Sequence, residues 1–473
     1  CVSYAELESR AAGVAGQLAG LGVGRGDRVA VGLANSVDLV AAIVGTLRRG
    51  AVVVPLNPLY TAEEVSYVVD DSGAAAAALH AEHRRALETT GTRDIAFFDP
   101  GDEAMDAQAT SSVAEDAPAL IVYTSGTTGR PKGVVLSQRA LATNLRTVAD
   151  AWGWTSADRL LLTLPCFHLH GLGLGILASL LVGSTILLRE RFAVDEILGD
   201  LAASAATMFF GVPTMYSRIV ALPDDRGRGV DLSRMRLWVS GSAPLSAATF
   251  TRFRARFGAE ILERYGMTEC GFALSSTLAG PRRAGAVGRA LPGVDCRLVD
   301  PDAADRGEIV PVPPGEQGEI LIRGPGLFSG YWRRPEATTA AMLAGWLRSG
   351  DLAYVDEEGL YRIVGRSSVD IIKTRGFKVG AGEIEDVLLR HADVSEAAVV
   401  GVPDADQGQR VVAAVTLAVT GSVTEAELLA HARAHLAPHK VPTALAIVEQ
   451  LPKTGPGKYK KIELVRLLAS RLP

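Results

Sequence analysis

The spacing of apolar residues in the first 110 positions alternates between a helical and an extended period. Amphipathic patterns predict helices, and short apolar runs between turn residues predict buried strands. One helix is marked at both ends, by the capping-box sequence Thr61-Ala-Glu-Glu64 and by Gly73. The predicted order is helix 4–21, strand 28–33, helix 37–49, strand 51–54 and a helix that ends at 73. This alternation predicts an α/β fold with doubly wound sheets.

The pattern changes near residue 315, where extended runs lie between glycine-rich turns. These runs, 318–323 and 359–364, predict a smaller β-rich subdomain that completes a large N-terminal domain. Beyond residue 366 the pattern predicts a small α+β domain, with helix 381–390, strands 397–402 and 411–418, and a helix from 424. The sequence therefore predicts two domains, 1–366 and 367–473.

One uncharged stretch, 171–188, reaches the lower length limit of a transmembrane helix. Four glycines interrupt it, and Gly183-Ser184 is typical of a helix end. We therefore predict a buried helix and a buried strand, 185–188, and no membrane span.

Composition narrows the functional classes. The 473 residues are 48% hydrophobic and 21% charged, and the net charge of −5 gives no nucleic-acid footprint. The four cysteines are scattered and lack the spacing of a metal site, and the sequence shows no signal peptide. Both observations predict a cytoplasmic location. The chain starts at Cys1 rather than methionine, so we expect a native segment before it.

The stretch 123–133, Tyr-Thr-Ser-Gly-Thr-Thr-Gly-Arg-Pro-Lys-Gly, follows the apolar run 119–122. Small residues allow backbone N–H groups to approach a ligand closely, and the hydroxyls and the lysine add donors that suit phosphate. A surface loop is the plain alternative. A P-loop is excluded, because Lys132 follows Pro131 rather than glycine and no Ser or Thr follows Lys132.

Four further motifs occur in order along the chain: 263–269 (Glu-Arg-Tyr-Gly-Met-Thr-Glu), Ser349-Gly-Asp351, Gly365-Arg366 and 452–458 (Pro-Lys-Thr-Gly-Pro-Gly-Lys). Together with the phosphate loop, they make the chain resemble the acyl-adenylate-forming superfamily over essentially its whole length. The resemblance implies a large N-terminal domain, a small mobile C-terminal domain and an active site between them. It also implies ATP, Mg²⁺ and coenzyme A as cofactors, and small molecules as the partners of a monomer or weak dimer.

The resemblance implies a role for each matching residue. Catalytic roles fall to Lys458, Thr268 and Glu269, with His168 as a gate. Magnesium would be bound by Glu269 and Thr128. The nucleotide would contact Thr124, Ser125, Gly126, Thr127, Thr128, Lys132, Ser242, Ala243, Pro244, Tyr265, Gly266, Met267, Asp351 and Arg366, and Gly376 and Lys378 would line the coenzyme A tunnel.

The identity of the acyl group depends on Arg264, which precedes the tyrosine of the 263–269 motif and can grip a second carboxylate. A structural ion pair with Glu263 or Glu260 is the alternative. His170 and Arg236 are further candidates for the substrate pocket. With the stretch 208–216, the chain most resembles malonyl-CoA synthetases, which implies a dicarboxylate substrate, malonate or methylmalonate. A ligase for a monocarboxylic acid and a stand-alone domain that loads a carrier protein remain open, although no carrier domain follows Lys458 before Pro473.

Overall fold

The computed structural model describes residues 1–90, 95–101, 113–124, 131–223, 226, 229–366, 371–374, 377–404, 408–419, 421–436, 438, 440–453 and 459–471. For Arg366 and Lys378 it describes the backbone alone. Of the predicted site residues, Ser125, Gly126, Thr127, Thr128, Gly376 and Lys458 lie outside the described residues.

The first sheet is formed mostly by the N-terminal part of the chain. Its central strands are short Val- and Ala-rich runs that pair in parallel and are buried on both faces, as expected for such sheets. Thr61 caps a helix with Glu64, and Gly73 ends that helix at φ 63°, so both predicted end signals are confirmed. The elements are α1 (Tyr4–Gly20), β1 (Arg28–Gly32), α2 (Val37–Arg48), β2 (Val52–Pro55), α3 (Ala62–Ser72), β3 (Ala76–Leu79), α4 (Ala81–Thr90), β4 (Ala96–Phe97), β5 (Pro118–Thr124) and β6 (Lys132–Ser137).

The second sheet repeats this architecture, with five parallel strands extended by two antiparallel ones. The stretch predicted to mimic a membrane span is a π-helical segment (His170–Ala178), a short helix and a strand, all within this lobe. The other elements are α5 (Gln138–Ala151), β7 (Arg159–Leu162), α6 (Ser179–Val182), β8 (Thr185–Leu188), α7 (Ile197–Ala203), β9 (Met208–Gly211), α8 (Pro213–Ala221), β10 (Leu237–Ser240), α9 (Ala247–Phe257), β11 (Leu262–Met267), β12 (Gly271–Ser275) and β13 (Arg289–Ala290).

The predicted β-rich subdomain is an antiparallel sheet that follows the second sheet. Its elements are β14 (Asp295–Val299), α10 (Pro301–Asp305), β15 (Gly318–Arg323), β16 (Gly330–Tyr331), α11 (Pro335–Ala340), β17 (Met342–Leu343), β18 (Trp346–Val355) and β19 (Tyr361–Arg366). The strand β16 is not part of this sheet. It pairs with β6 and so attaches the subdomain to the first sheet.

The C-terminal segment forms a fourth sheet with its own core. Its elements are β20 (Ile371–Thr374), β21 (Phe377–Gly380), α12 (Ala381–Leu389), β22 (Val394–Asp404), β23 (Gly408–Leu417), α13 (Glu425–His435), β24 (Ala444–Ile447) and α14 (Lys461–Arg471). The fold class is therefore as predicted, α/β with a small α+β domain at the C-terminus. Within the described residues, no helix has the length and apolar character needed to cross a bilayer.

Candidate active site

The candidate site lies at the carboxyl ends of the parallel strands β9, β10 and β11. In open α/β sheets, ligands bind outside this edge, where the loops that follow the strands diverge. Gly241 and Ser242 follow β10, Arg264 lies in β11, and His170 begins the π-helical segment that comes after β7. Residues from three separate segments of the sequence thus meet at one edge of the second sheet.

Arg264 is deeply buried, with 5% of its surface exposed. Its Cζ lies 4.7 Å from the centre of the Phe272 ring, and its Nη2 is 3.5 Å from Ser242 Oγ, a long hydrogen bond. Its Nε has no hydrogen-bond partner, and no ion pair to Arg264 is formed among the described residues. Burial lowers the pKa of Arg264 to about 9, so the guanidinium remains charged at neutral pH. A buried cation without a protein carboxylate is costly and indicates an anionic ligand.

The two acidic residues close to Arg264 in sequence have other partners. Glu260 pairs with Arg254 at 3.4 Å, and the Glu263 carboxylate accepts the Gly285 N–H at 2.8 Å. Burial raises the pKa of Glu263 to about 8, whereas a carboxylate paired with an arginine has a lowered pKa. The structure therefore does not support the alternative of a structural ion pair for Arg264.

The turn after β10 leaves room for the Arg264 guanidinium. A Cβ at Gly241 would lie 2.5 Å from Arg264 Nε, so any larger residue would displace the guanidinium from its present position. The next residue, Ser242, has a φ of 72°, a left-handed conformation that is uncommon outside glycine and concentrated at functional sites. The turn brings the Ser242 hydroxyl into contact with both Arg264 and His170.

His170 is also buried, at 6% exposure, and its ring stacks on Phe210 with 6.4 Å between centres. Its Nδ1 is 3.2 Å from Ser242 Oγ, and its Nε2 has no partner. Burial, with the charge of Arg264 and the nearby His168, lowers the pKa of His170 well below its usual value, so the ring is neutral at pH 7. When the Ser242 hydroxyl donates to Nδ1, Nε2 carries the proton and is a buried donor. We call Arg264, Ser242 and His170 the anion pocket.

Arg236 is not part of this pocket. Its Nε and Nη2 donate to the Asp158 carboxylate at 2.7 and 2.6 Å, and its remaining donors reach the carbonyls of Trp152 and Gly153. A protein carboxylate thus already neutralises this guanidinium. The prediction that Arg236 contacts the substrate is corrected, because the residue forms a structural ion pair.

The second predicted histidine, His168, is half-buried and packs against Phe167, with 4.3 Å between the ring centres. It lies close enough to His170 to lower the pKa of that ring. The structure therefore brings His168 to the edge of the anion pocket, and its role as a gate stays a prediction.

The residues predicted to bind adenosine converge beside the anion pocket. The Tyr265 hydroxyl donates to Asp351 Oδ2 at 2.6 Å, and the Ser349 hydroxyl accepts the Asp351 N–H at 3.0 Å. In the sheet register, Asp351 lies opposite Arg366. Burial and the Asp351 carboxylate raise the pKa of Tyr265, which keeps its hydroxyl a donor. Contacts of these groups with adenine and ribose remain predictions.

The end of β11 and the turn that leads to β12 carry the other predicted residues of this motif. A Cβ at Gly266 would lie 2.0 Å from the Gly271 carbonyl oxygen, so the bulge at this point requires glycine. Met267 and Thr268 follow and are half-buried, whereas Ala243 and Pro244, across the site, are exposed. The glycine of the 263–269 motif, Gly266, is therefore required by the backbone geometry as well as by the predicted contact with the nucleotide.

A residue that the sequence reasoning missed connects the predicted phosphate and magnesium sites. The Tyr331 hydroxyl donates to Glu269 Oε1 at 2.8 Å, and the Lys132 ammonium lies 5.1 Å from the centre of the Tyr331 ring. Lys132 pairs with Thr124 across the β5–β6 hairpin, so the phosphate loop starts and ends at one place. No sequence signal pointed to Tyr331, because it lies 62 residues from Glu269 in the chain.

Comparisons with known proteins decide the family. The AMP-binding enzyme family matches residues 1–332, and the C-terminal domain of AMP-binding enzymes matches residues 383–458. The chain belongs to the AMP-binding enzyme family. This confirms the predicted membership of the acyl-adenylate-forming superfamily.

Three relatives show how far the similarity extends. The mitochondrial malonate–CoA ligase of Mus musculus is 37% identical over 93% of this chain and 82% of its own. A feruloyl-CoA synthase of an Amycolatopsis species is 36% identical over 98% of this chain and 94% of its own. The crystal structure of ATP-bound MatB from Rhodopseudomonas palustris has a TM-score of 0.91 and 37% identity, covering 99% of this chain and 93% of that one. This AMP-binding enzyme therefore resembles ligases for both a dicarboxylate and a monocarboxylate.

Proposed function

We propose that this AMP-binding enzyme is an ATP-dependent malonate or methylmalonate–CoA ligase that acts through an acyl-adenylate. The observation that carries the proposal is the anion pocket. Arg264 Nε and His170 Nε2 are buried without partners, and the Ser242 hydroxyl lies between the two side chains. A carboxylate offers acceptor oxygens in a plane that matches the guanidinium fork.

The pocket suits a distal carboxylate better than an apolar acyl group. A monocarboxylic acid would leave a charged guanidinium buried against a methyl or a ring, with no counter-charge. Discrimination against a substrate that leaves buried polar groups unpaired can reach on the order of 10⁴. One methyl group changes binding by only about 1–3 kcal/mol, so the pocket favours dicarboxylates without deciding between malonate and methylmalonate.

The proposed chemistry has two half-reactions. The carboxylate of the acid attacks the α-phosphorus of ATP and expels pyrophosphate, and no general base is needed because the acid is ionised at neutral pH. The thiol of coenzyme A then attacks the mixed anhydride, forms the thioester and releases AMP. Lys132 would neutralise phosphate charge in the first step, and Lys458 keeps its predicted role beside the reacting groups.

Glu269 fits a magnesium site. It is 6% exposed, its carboxylate is oriented by the Tyr331 hydroxyl, and Mg²⁺ commonly binds one or two carboxylates together with substrate phosphates. A magnesium ion held there would supply positive charge to the phosphates of ATP. Glu269 would therefore hold the metal, and the Tyr331 hydroxyl would orient the Glu269 carboxylate.

The similarity to a feruloyl-CoA synthase supports a second candidate function, ligation of a monocarboxylic aromatic acid to coenzyme A. The buried charge of Arg264 argues against it, because an aromatic acyl group offers that charge no partner. A carrier-loading role, a cytoplasmic location and a monomeric or weakly dimeric state remain predictions; the mouse relative is named as mitochondrial.

The proposal is tested by an activity assay in which the purified protein receives ATP, Mg²⁺, coenzyme A and one carboxylic acid at a time. Malonate, methylmalonate, succinate, acetate, octanoate, benzoate and ferulate form the panel, with AMP and the thioester as readouts. We expect turnover with malonate or methylmalonate alone. Preferred turnover of a monocarboxylic acid would overturn the dicarboxylate proposal, and AMP release without need of coenzyme A would favour the carrier-loading domain.

A further inference from the structure

Both ends of the phosphate loop are held by one face of the helix α3. Tyr67 and Asp71 are four residues apart in α3, so their side chains lie on the same side of the helix. The Tyr67 hydroxyl donates to the Pro131 carbonyl at 2.7 Å, at the C-terminal end of the loop. The Tyr123 hydroxyl donates to Asp71 Oδ2 at 2.7 Å, at the N-terminal end.

The bond to Pro131 bears directly on Lys132. A peptide unit is planar, so a hydrogen bond that fixes the Pro131 carbonyl also fixes the direction of the Lys132 N–H. Lys132 begins β6 and is the residue whose ammonium lies over the Tyr331 ring, next to Glu269. Tyr67 thus orients the peptide that leads into the phosphate-binding lysine.

A second connection stiffens Asp71 itself. Arg334 Nη2 donates to Asp71 Oδ1 at 2.5 Å, and Trp332 Nε1 donates to the Asp71 carbonyl at 3.1 Å. The Trp332 N–H in turn donates to the Gly133 carbonyl at 2.7 Å, just past the end of the loop. The Asp71 side chain is 11% exposed, so water competes little for these bonds. The Asp71 carboxylate therefore joins the N-terminal end of the loop to Arg334, while the Asp71 backbone carbonyl holds Trp332.

We propose that Tyr67 and Asp71 are positioning residues for ATP, which act by fixing the two ends of the phosphate loop. Neither residue belongs to the motifs that identify the family. The inference rests on the proposed function for the identity of the nucleotide, and it concerns affinity for ATP rather than choice of the acid. Changes at Tyr67 or Asp71 should affect ATP without affecting the acid, because the anion pocket lies at the second sheet and α3 packs with the first.

The variant Tyr67→Phe tests this by removing one oxygen atom. A hydrogen bond of this kind contributes about 1 kcal/mol, so we expect the Kd and the KM for ATP to rise by about fivefold. The KM for malonate should stay within about twofold of wild type, since a residue that acts only on the loop leaves the anion pocket unchanged. Tyr361→Phe is the matched control: its hydroxyl also donates to a backbone carbonyl, that of Cys296 at 3.2 Å.

Binding of ATP with Mg²⁺ is measured by calorimetry without any acid, so the result stands even if malonate proves not to be the substrate. Loss of ATP affinity in Tyr67→Phe, with none in Tyr361→Phe and equal melting temperatures, supports the proposal. Unchanged ATP affinity, or equal increases in the KM of ATP and malonate, overturns it.

Asp71→Asn keeps the test valid if Tyr67→Phe does not fold. It loosens the other end of the loop and should weaken ATP binding in the same direction. The exposed neighbour Asp70, also in α3, is the control, and Asp70→Asn should bind ATP like the wild type. Wild-type ATP affinity in Asp71→Asn would overturn the proposal.

Discussion

Two arginines beside neighbouring strands of the second sheet differ in one respect that decides their roles. Arg236 is half-buried and pairs with Asp158, whose side chain is 5% exposed. Burial opposes ionisation of Asp158, but hydrogen bonds from Arg236, Thr155 and Thr207 hold its pKa below the usual value. Arg264 is buried more deeply and has no carboxylate among the described residues. The paired Arg236 stabilises the fold, and Arg264, unpaired within the described part of the chain, is the arginine for which we propose a substrate role.

The largest expected effect comes from Arg264→Met, which keeps a similar shape and removes the charge. The kcat/KM for malonate should fall by on the order of 10⁴, because the distal carboxylate loses its counter-charge in a buried pocket. Arg264→Lys should recover only part of the loss, since an ammonium cannot form two parallel hydrogen bonds. Steady-state kinetics with malonate provide the measurement, and a loss below about tenfold would contradict the role of Arg264.

Arg236→Met should lower the stability of the fold without changing the substrate preference. Removing one partner of a partly buried ion pair leaves Asp158 uncompensated and should cost on the order of 2–3 kcal/mol of unfolding free energy. Adding Asp158→Asn should restore part of that stability. Denaturant unfolding measures both variants. The preference for malonate over propionate should match the wild type, and a changed preference would return Arg236 to the substrate pocket.

Ser242→Gly should give a smaller effect on malonate use. Glycine accepts the left-handed backbone of this position, so the variant removes the hydroxyl without adding strain. Loss of the contact to Arg264 and His170 should lower kcat/KM for malonate by about tenfold. Parallel kinetics with ATP as the varied substrate separate this result from damage to the adenine site. A uniform loss for both substrates would show that the hydroxyl supports the loop rather than the acid.

The buried Glu263 carboxyl should make the stability of the fold depend on pH. Burial raises the pKa of this carboxyl to about 8, so the folded state holds a proton that the unfolded state releases above about 4.5. Stability should therefore decrease as the pH rises from about 4.5 to about 8, by at most about 1.4 kcal/mol per pH unit for one proton. Unfolding of wild type and Glu263→Gln across this range isolates the slope, which the variant should lack. A slope of opposite sign would mean that Glu263 pairs with a cation such as Arg264.

Much of the fold could be predicted from the sequence. Helix and strand periods, the cap at Thr61 and the glycine at 73 gave elements that agree with the structure to within a few residues. The π-helical form of the segment that begins at His170 was not predictable, because periodicity does not distinguish it from an α-helix.

The site was predictable only in part. The order of the motifs predicted Tyr265, Asp351, Glu269 and Lys132 as site residues. The structure pairs Tyr265 with Asp351 and brings Glu269 and Lys132 to Tyr331. Partners that are distant in sequence could not be predicted. Asp158, for example, is 78 residues from Arg236, and no motif connects the two. Which arginine is already paired is a property of the folded chain, and the proposed roles of Arg264 and Arg236 rest on that property.

The most direct measurement is a crystal structure of this enzyme with malonate and a non-hydrolysable ATP analogue. We expect one carboxylate of malonate to face the α-phosphate. The oxygens of the other carboxylate should lie about 2.7–3.2 Å from the Arg264 guanidinium, with Ser242 and His170 as further donors. A distal carboxylate that points to solvent or to another cation, with Arg264 left without a partner, would contradict it.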